Sequence, residues 1–184
     1  MRRTIALVLV AIAASLLLAS PVLADERTCR GKIGAVTVDN LRIPQGATCT
    51  LTGTRVKGTI KVERNATLKA SRVRVVGNVQ AENHRSVTLT DSRVGGSVQL
   101  KQGRSASVTD NRITGDLQFE SNRARIIAKR NTIGGSLQAF SNSGGIAISR
   151  NRVDGNLQCK SNQPRPTGGG NVVQGNNADQ CARL

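Results

Sequence analysis

The sequence predicts an all-β protein folded as a single-domain parallel β-helix of about seven coils. Three observations predict this fold. A unit of 19–20 residues recurs along most of the chain, apolar residues alternate with polar ones inside each unit, and aromatic residues are nearly absent. The 184 residues include no Trp, no Tyr and two Phe, so small aliphatic side chains placed at regular intervals must fill the core.

A glycine marks each repeat. The clearest copies are GDLQFESN from Gly115, GSLQAFSN from Gly135 and GNLQCKSN from Gly155. The same position recurs outward from them, first 19 and then 20 residues apart, at Gly58, Gly77, Gly96, Gly115, Gly135, Gly155 and Gly175. Because glycine has no Cβ, we expect it to permit the corner at which one strand bends into the next.

The apolar residues of each unit stand two before, two after and four after this glycine, and a second apolar pair closes the unit. Alternation with period 2 is typical of strands that bury one face. Units of this length with short strands predict one coil each of a parallel β-helix, in which stacked coils place equivalent residues about 4.8 Å apart. Parallel connections are nearly always right-handed, so we predict a right-handed coil.

Amide residues recur in the same register. Asparagine tolerates left-handed turn conformations, and stacked amide side chains can hydrogen-bond along a column. We therefore predict asparagine ladders at the turns and an outward-facing glutamine ladder on a sheet. The three columns are Asn111, Asn131, Asn151 and Asn171; Asn65, Asn122, Asn142 and Asn162; and Gln80, Gln99, Gln118, Gln138 and Gln158.

The N-terminus predicts export. Arg2 and Arg3 precede an apolar run over residues 5–19, and Val22-Leu23-Ala24 has the small residues of a signal-peptidase site. The run is shorter than the roughly 20 residues that a membrane helix needs, so we expect no transmembrane anchor after cleavage. We predict a secreted, periplasmic or cell-surface protein with a signal peptide (1–24), a cap and first coil (25–53), β-helix repeats (54–178) and a C-terminal tail (179–184).

Four cysteines predict two disulfides in an oxidising compartment. Four cysteines allow three pairings, and the spacing selects one of them. Cys29 and Cys49 are 20 residues apart and Cys159 and Cys181 are 22 apart, so each pair spans about one coil. Adjacent coils lie within the Cα separation of a disulfide, so we predict that these pairs staple the two terminal coils.

The coil motif resembles a known group of proteins. The V-x-G-x-V pattern in VKGTI, VVGNV, VGGSV, ITGDL, IGGSL and VDGNL is similar to that of exported bacterial parallel β-helix proteins. Over residues 50–178 it also loosely resembles the bactofilins, whose coils polymerise end to end. That resemblance implies possible self-association and carries over no site residues. The signal peptide and the stapled ends depart from the bactofilin pattern.

Charge is the main outward signal. The chain has 27 Lys and Arg against 11 Asp and Glu, and arginine stands three residues before the glycine in five coils. A line of guanidinium groups can bind phosphate, sulfate or carboxylate groups repeated along a polymer, although a solvated face that prevents aggregation would look the same. We predict a polyanion, such as an anionic polysaccharide, as partner. Without aromatics for base stacking, no specific nucleic acid is expected. The predicted binding residues are Arg55, Arg74, Arg93, Arg112 and Arg152.

Catalysis is not predicted, and neither a metal nor a cofactor is expected. Polysaccharide lyases and hydrolases with this architecture need paired carboxylates, and Glu63 and Glu82 are the best candidates because they stand about one coil apart. His84, in the segment ENHRS, is expected in a surface turn. Thr does not recur at one position of the repeat, which argues against the flat threonine ladder of ice-binding β-helices.

The predicted function is therefore a non-catalytic structural or binding module that docks an anionic envelope or extracellular polymer. A self-assembling, filament-type scaffold is the first alternative. A polysaccharide lyase or hydrolase is the second.

Overall fold

The computed structural model describes residues 25–184, and the predicted signal peptide lies outside them. The described chain forms a parallel β-solenoid of about eight coils with three sheets. Every strand pairs in parallel with its equivalent in the next coil, and residues 25–184 contain no helix able to span a membrane. The predicted all-β parallel β-helix is confirmed. Its handedness stays a prediction.

Sheet A has nine strands, and the chain returns to it once in every coil. Its inward positions are apolar, as in Val79, Val98 and Leu117, which are direct neighbours in the stack. The strands are β1 Glu26–Thr28, β4 Asn40–Ile43, β7 Ile60–Val62, β10 Val79–Glu82, β13 Val98–Lys101, β16 Leu117–Glu120, β19 Leu137–Phe140, β22 Leu157–Lys160 and β25 Asn177–Asp179.

Sheet B follows sheet A around a first corner and has eight strands. It is rich in β-branched residues, which suit a pleated, half-buried surface. The strands are β2 Gly31–Ile33, β5 Thr48–Thr52, β8 Thr67–Ser71, β11 Ser86–Thr90, β14 Ser105–Thr109, β17 Ile126–Lys129, β20 Ile146–Ser149 and β23 Thr167–Gly169.

Sheet C follows a second corner and also has eight strands, each of two residues with the second one facing inward. A third corner then leads back to sheet A. The strands are β3 Thr37–Val38, β6 Arg55–Val56, β9 Arg74–Val75, β12 Arg93–Val94, β15 Arg112–Ile113, β18 Thr132–Ile133, β21 Arg152–Val153 and β24 Val172–Val173.

One hydrophobic core runs the length of the solenoid between the three sheets. Phe119 is its largest fully buried side chain, and its neighbours in the stack are Leu100 and Ala139. Small residues beside large ones let successive layers fill the interior without aromatic bulk. The structure has about one coil more than predicted, because β1, β2 and β3 form a coil that lacks the glycine motif.

The glycine of the repeat is required by close stacking of coils rather than by an unusual turn. Gly77 does not have a positive φ, but a Cβ built on it would lie 2.8 Å from the carbonyl oxygen of Gly58 in the previous coil. Successive coils therefore approach too closely at the third corner for any side chain. Glycine therefore recurs at this position because the coils are in close contact there, and not because the chain needs extra freedom to bend as first expected.

A polar ladder follows this glycine through the whole solenoid. The ladder is formed by the residue directly after the glycine. Its backbone N–H donates to the side-chain oxygen of the equivalent residue in the previous coil, as the Thr59 N–H donates to Asn40 Oδ1 at 2.9 Å. This ladder was not predicted, because its residue type changes from coil to coil. Its members are Asn40, Thr59, Asn78, Ser97, Asp116, Ser136, Asn156 and Asn176.

The asparagine ladders are confirmed from Asn122 to Asn162 at the first corner and from Asn111 to Asn171 at the second, and all of these asparagines except the half-buried Asn171 are buried. The backbone N–H and the side-chain Nδ2 of Asn111 both donate to Asn131 Oδ1 at 3.0 Å. Asn131 Nδ2 donates to the Val108 carbonyl at 2.8 Å. The expectation that these asparagines take the left-handed turn conformation is wrong. The preceding residue takes it, for example Arg130 with φ 54°, and this turns the asparagine side chain inward.

Asn65 does not belong to the buried column in which it was predicted. It is exposed with φ 57°, and the buried place is taken by Ala66. The first corner runs four residues from Val62 to Ala66 but three from Ala81 to His84, and this extra residue shifts Asn65 to the left-handed position. A fixed offset from the glycine therefore failed where a corner changes length.

The remaining predicted contacts are present. Cys29 pairs with Cys49 and Cys159 with Cys181, with Cα separations of 5.6 and 5.2 Å. Both disulfides join residues about one coil apart, as predicted. The glutamine ladder on sheet A is also formed: each side-chain NH₂ donates to the next side-chain oxygen at 3.2 Å from Gln80 to Gln118 and again from Gln138 to Gln158.

Candidate functional site

The predicted arginines form one physical column on sheet C, here called the arginine stripe. The register pairs Arg55 with Arg74, Arg74 with Arg93, and Arg93 with Arg112. Thr132 occupies the next coil, and Arg152 follows it. All five arginines are exposed because each precedes the inward residue of a two-residue strand. The spacing along the stripe is about 4.8 Å per coil.

The four consecutive arginines carry uncompensated charge. Arg55, Arg74, Arg93 and Arg112 make no ion pair with any residue from 25 to 184. Arg152 differs, since its Nε lies 3.8 Å from the carboxylate of Asp154. Like charges stacked at neighbouring strand positions repel one another, so an anion placed along these four residues would relieve that repulsion.

A shallow furrow accompanies the middle of the stripe. It has a volume of about 240 Å³, and Arg74, Arg93 and Arg112 line it together with Val76 and Gly95. Val76 is 51% exposed, which is unusual for an apolar residue in this solenoid. Uncharged residues thus line the furrow beside three guanidinium groups from successive coils, so a ligand extended along the stripe can contact all three.

The carboxylate of Asp110, at the neighbouring second corner, does not neutralise the stripe. Arg130 binds it with two charged hydrogen bonds, Nε to Oδ1 at 2.5 Å and Nη2 to Oδ2 at 2.6 Å. The hydrogen bonds from Arg130 lower the pKa of Asp110, against a small opposing effect of burial. Because Arg130 holds this carboxylate, Arg112 in the same coil keeps its charge free for an external anion.

Glu63 is engaged by the coil before it. Its carboxylate accepts hydrogen bonds from Arg42 Nη1 at 3.2 Å and from the Gln45 N–H at 3.0 Å. Burial raises the pKa of Glu63, but these two donors outweigh burial and lower it overall. Glu82 is exposed and makes no ion pair within residues 25–184. The two carboxylates line one open groove of about 740 Å³ with Lys61, Arg64 and Lys101.

His84 is buried, so the expectation of a surface turn is wrong. The residue is 1% exposed, and neither ring nitrogen has a hydrogen-bond partner. Burial lowers its pKa to about 4, opposed only by the nearby backbone of Ala81 and Ser105. The ring lies against Gly103, where a Cβ would be 2.1 Å from Cε1. The side chain at this position of the first corner points inward. Gly103, at the equivalent position of the next coil, leaves room for the imidazole ring.

A regular array of hydroxyl groups on sheet B was missed. Four consecutive strands, β5, β8, β11 and β14, place eleven Ser or Thr residues at their twelve outward positions, with Lys69 at the twelfth. Thr alone recurs only between some neighbouring coils, as Thr48 with Thr67 and Thr90 with Thr109, but Ser and Thr together fill every outward position except one. The lack of a continuous threonine column therefore does not exclude a regular hydroxyl array. This array, the hydroxyl face, comprises Thr48, Thr50, Thr52, Thr67, Ser71, Ser86, Thr88, Thr90, Ser105, Ser107 and Thr109.

Comparison with known proteins adds no family to these observations. No protein-family model matches the chain, and comparisons with curated proteins and with solved structures found no match. The chain is therefore characterised by its parallel β-solenoid architecture alone. Within residues 25–184, no group of three or more His, Cys, Asp and Glu side chains is placed to hold a metal ion.

Proposed function

We propose that this protein is an exported, non-catalytic β-solenoid that docks an anionic polymer of the cell envelope or extracellular space along its arginine stripe. One observation carries the proposal. Four arginines in consecutive coils are exposed, aligned and free of ion pairs with the described carboxylates. A polymer with repeated anionic groups is the ligand class that such a row would bind at several points simultaneously.

The scaffold favours binding because it holds the charges in place. The stripe arginines begin strands that are hydrogen-bonded on both sides, so the backbone loses no freedom when a polymer binds. Guanidinium groups bind carboxylate, sulfate or phosphate with two parallel hydrogen bonds, which an ammonium group does not do. Because the contacts are exposed and charged, salt will weaken the affinity steeply.

The N-terminal segment and the disulfides both support a location outside the cytoplasm. The N-terminal 24 residues have the composition of a signal peptide, and the two disulfides of the described chain indicate an oxidising environment. Removal of Arg2 and Arg3 with the signal would leave 25 basic and 11 acidic residues, a net charge of +14. Such a charge attracts polyanions of the envelope from a distance.

The test is co-sedimentation of the mature protein with polygalacturonate-coated beads at low and physiological salt. The wild-type protein should pellet with the beads, and less so at higher salt. The triple variant Arg74→Gln, Arg93→Gln, Arg112→Gln should lose at least tenfold in affinity, since three charged contacts disappear. Unaltered binding by this variant would disprove docking at the stripe.

A matched control separates the stripe from net charge. The variant Lys61→Gln, Arg64→Gln, Lys160→Gln removes the same charge from exposed residues of sheet A and its first corner, none of which forms an ion pair within residues 25–184. It should retain most of the affinity. An equal loss in both variants would mean that the polymer senses total charge rather than the stripe.

End-to-end assembly has one observation in its favour. The first and last coils each expose a valine at the end of sheet C: Val36, directly before β3, is 46% exposed, and Val172, in β24, is 57% exposed. Strand edges with apolar side chains can pair with a second copy. Sedimentation velocity of the protein alone tests this: a monomer across a hundredfold concentration range excludes the scaffold. Loss of a polysaccharide-cleaving activity on Glu63→Gln or Glu82→Gln would instead indicate an enzyme.

A further inference from the structure

We infer that the hydroxyl face on sheet B is a second binding surface, and that its ligand is an acidic polysaccharide. The face lies on a different sheet from the arginine stripe and does not share a residue with it. This inference rests on the proposed function, because it takes the ligand to be a polyanion. It adds the requirement that the polymer carry hydroxyl groups. Three features of the face support this inference.

The first feature is two-dimensional regularity. Thr48, Thr67, Ser86 and Ser105 are direct neighbours across β5, β8, β11 and β14, and Thr52, Ser71, Thr90 and Thr109 form a parallel row. Within a row the spacing is about 4.8 Å, and alternate residues along a strand are about 6.6 Å apart. A rigid grid of this kind suits a ligand that also repeats its hydroxyl groups at short, regular intervals.

The second feature is that most of these hydroxyl groups are not used by the protein. Thr50, Thr52 and Thr88 make no side-chain hydrogen bond within residues 25–184, whereas Thr90 Oγ1 donates to the Ala70 carbonyl at 3.5 Å. A hydroxyl group donates once and accepts twice, which matches the hydroxyl groups of a sugar. The face therefore offers free donors and acceptors that water fills when no ligand is bound.

The third feature is a basic rim. Arg85 and Arg104 directly precede strands β11 and β14 of the face at the first corner, and Arg123 takes the same place in the next coil, before β17. The N–H of Arg104 donates to the His84 carbonyl at 2.9 Å and that of Arg123 to the Gly103 carbonyl at 3.0 Å, which aligns the three. All three are exposed, and none forms an ion pair within residues 25–184. The strands of the face contain no carboxylate.

Together these features select the ligand class. Neutral glycans would use the hydroxyl grid but not the three rim arginines, and simple polyanions would use the arginines but not the grid. An ice lattice would also match a flat hydroxyl array, but Lys69 projects from the middle of the face and the rim is charged. A chain of sugars that carry carboxylate or sulfate groups uses both the grid and the charges.

The experiment compares two polymers of similar charge density. Polygalacturonate has one carboxylate and two free hydroxyl groups in each sugar residue, and polyglutamate has one carboxylate in each residue and no hydroxyl group. Titration of each polymer with the disulfide-bonded protein at the same salt concentration gives a preference ratio. The wild-type protein should prefer polygalacturonate about tenfold, the effect expected of one or two net hydrogen bonds.

Two sets of variants locate that preference. Thr50→Val, Thr52→Val, Thr88→Val removes three unused hydroxyl groups while keeping the β-branched shape, and it should bring the preference ratio close to one. The control Thr28→Val, Thr167→Val makes the same change at two exposed threonines outside both the hydroxyl face and the arginine stripe, and it should leave the ratio unchanged. Arg85→Gln, Arg104→Gln, Arg123→Gln should weaken binding of both polymers several-fold.

The outcomes are distinguishable from those of the stripe. Equal binding of the two polymers by the wild-type protein, or a preference that survives the sheet B valine variant, overturns this inference and leaves docking at the stripe intact. A stripe variant that binds both polymers normally, with the preference intact, overturns only the proposed function of the stripe. Slowed ice growth that is lost in the valine variant, without any polysaccharide preference, would assign the face to ice instead.

Discussion

The two halves of the solenoid fill their first and second corners differently. In the C-terminal half, buried asparagines occupy both corners and hydrogen-bond from coil to coil, as Asn122, Asn142 and Asn162 do at the first. In the N-terminal half the same places hold residues without a side-chain amide. They are Ala47, Ala66, His84 and Gly103 at the first corner, and Thr54, Val73 and Ser92 at the second.

At the first corner, this difference follows the length of the corner. Gly103 stands three residues before Ala106, whereas Asn122 stands four residues before Ile126, and these two apolar residues are neighbours in sheet B. The longer corner has more backbone N–H and C=O groups to satisfy, and the asparagine amide reaches several of them. The shorter corner satisfies its backbone largely with backbone bonds and fills the interior with small or apolar groups. One architecture thus tolerates two kinds of corner.

The largest expected effect is the loss of an asparagine from a ladder. Asn131→Leu leaves the Asn111 N–H and the Val108 carbonyl without partners in a buried site, because Asn131 is 2% exposed. Each such group costs about 1–3 kcal/mol, so we expect a loss of about 4 kcal/mol of stability in urea denaturation. Val73→Ala, in the same column of the N-terminal half, should cost about 2 kcal/mol. Equal losses would contradict the distinction between the two kinds of corner.

The next effect concerns His84 and acid. Its pKa is about 4 in the folded protein, below the value of about 6.5 in an unfolded chain, so the unfolded state binds the proton more readily. The contribution of neutral His84 to stability is complete above pH 6.5 and is lost as the pH falls towards 4. Below pH 4, protonation of His84 lowers the free energy of unfolding by about 3 kcal/mol.

The measurement for His84 is the free energy of unfolding between pH 7.5 and 3.5, for the wild-type protein and for His84→Asn. The variant places at this site the residue that the later coils use, and its pH dependence should be flatter by the histidine contribution. The carboxylates of Asp110 and Glu63 also have lowered pKa values, and they lose their contribution at low pH in both proteins. Identical pH profiles would show that His84 does not titrate on unfolding.

A smaller effect is expected where the two kinds of corner meet. Gly103→Ala places a Cβ 2.1 Å from the His84 ring and should cost about 2 kcal/mol, since the ring has little room to move. The double variant Gly103→Ala, His84→Ala should recover part of this loss, because the contact that causes it is gone. Thermal unfolding of the four proteins gives the coupling free energy. A coupling near zero would mean that the backbone, not the imidazole, resists the methyl group.

The smallest effect is expected on the outward glutamine ladder, which runs through both halves with one break. Gln99→Ala removes two hydrogen bonds, an exposed one with Gln80 and a partly buried one with Gln118, and should cost less than about 1 kcal/mol because water replaces them. Gln138→Ala removes one, to Gln158, and should cost less still. Urea denaturation of both variants compares the two halves. A larger loss would indicate that surface ladders hold the coils in register.

The fold, the repeat and the disulfides were all predictable from the amino-acid pattern. Period-2 alternation shows which strand residues face inward, and a constant unit length makes equivalent residues neighbours, so one pattern predicts every column in the sheets. The cysteine spacing matched one coil, and Cys29–Cys49 and Cys159–Cys181 are formed as predicted. The arginine stripe also followed from the register, because its members stand at one fixed distance from the glycine.

Which corner residues are buried, and which side chains of neighbouring columns lie side by side, became clear only from the folded structure. A single extra residue put Ala66 rather than Asn65 inside, and the absence of a side chain at Gly103 made room for a buried His84. The hydroxyl face became visible only when Ser and Thr from four coils lay side by side. Corners have no period, and ion pairs depend on the distances between side chains in adjacent coils, so neither can be derived from alternation along one strand.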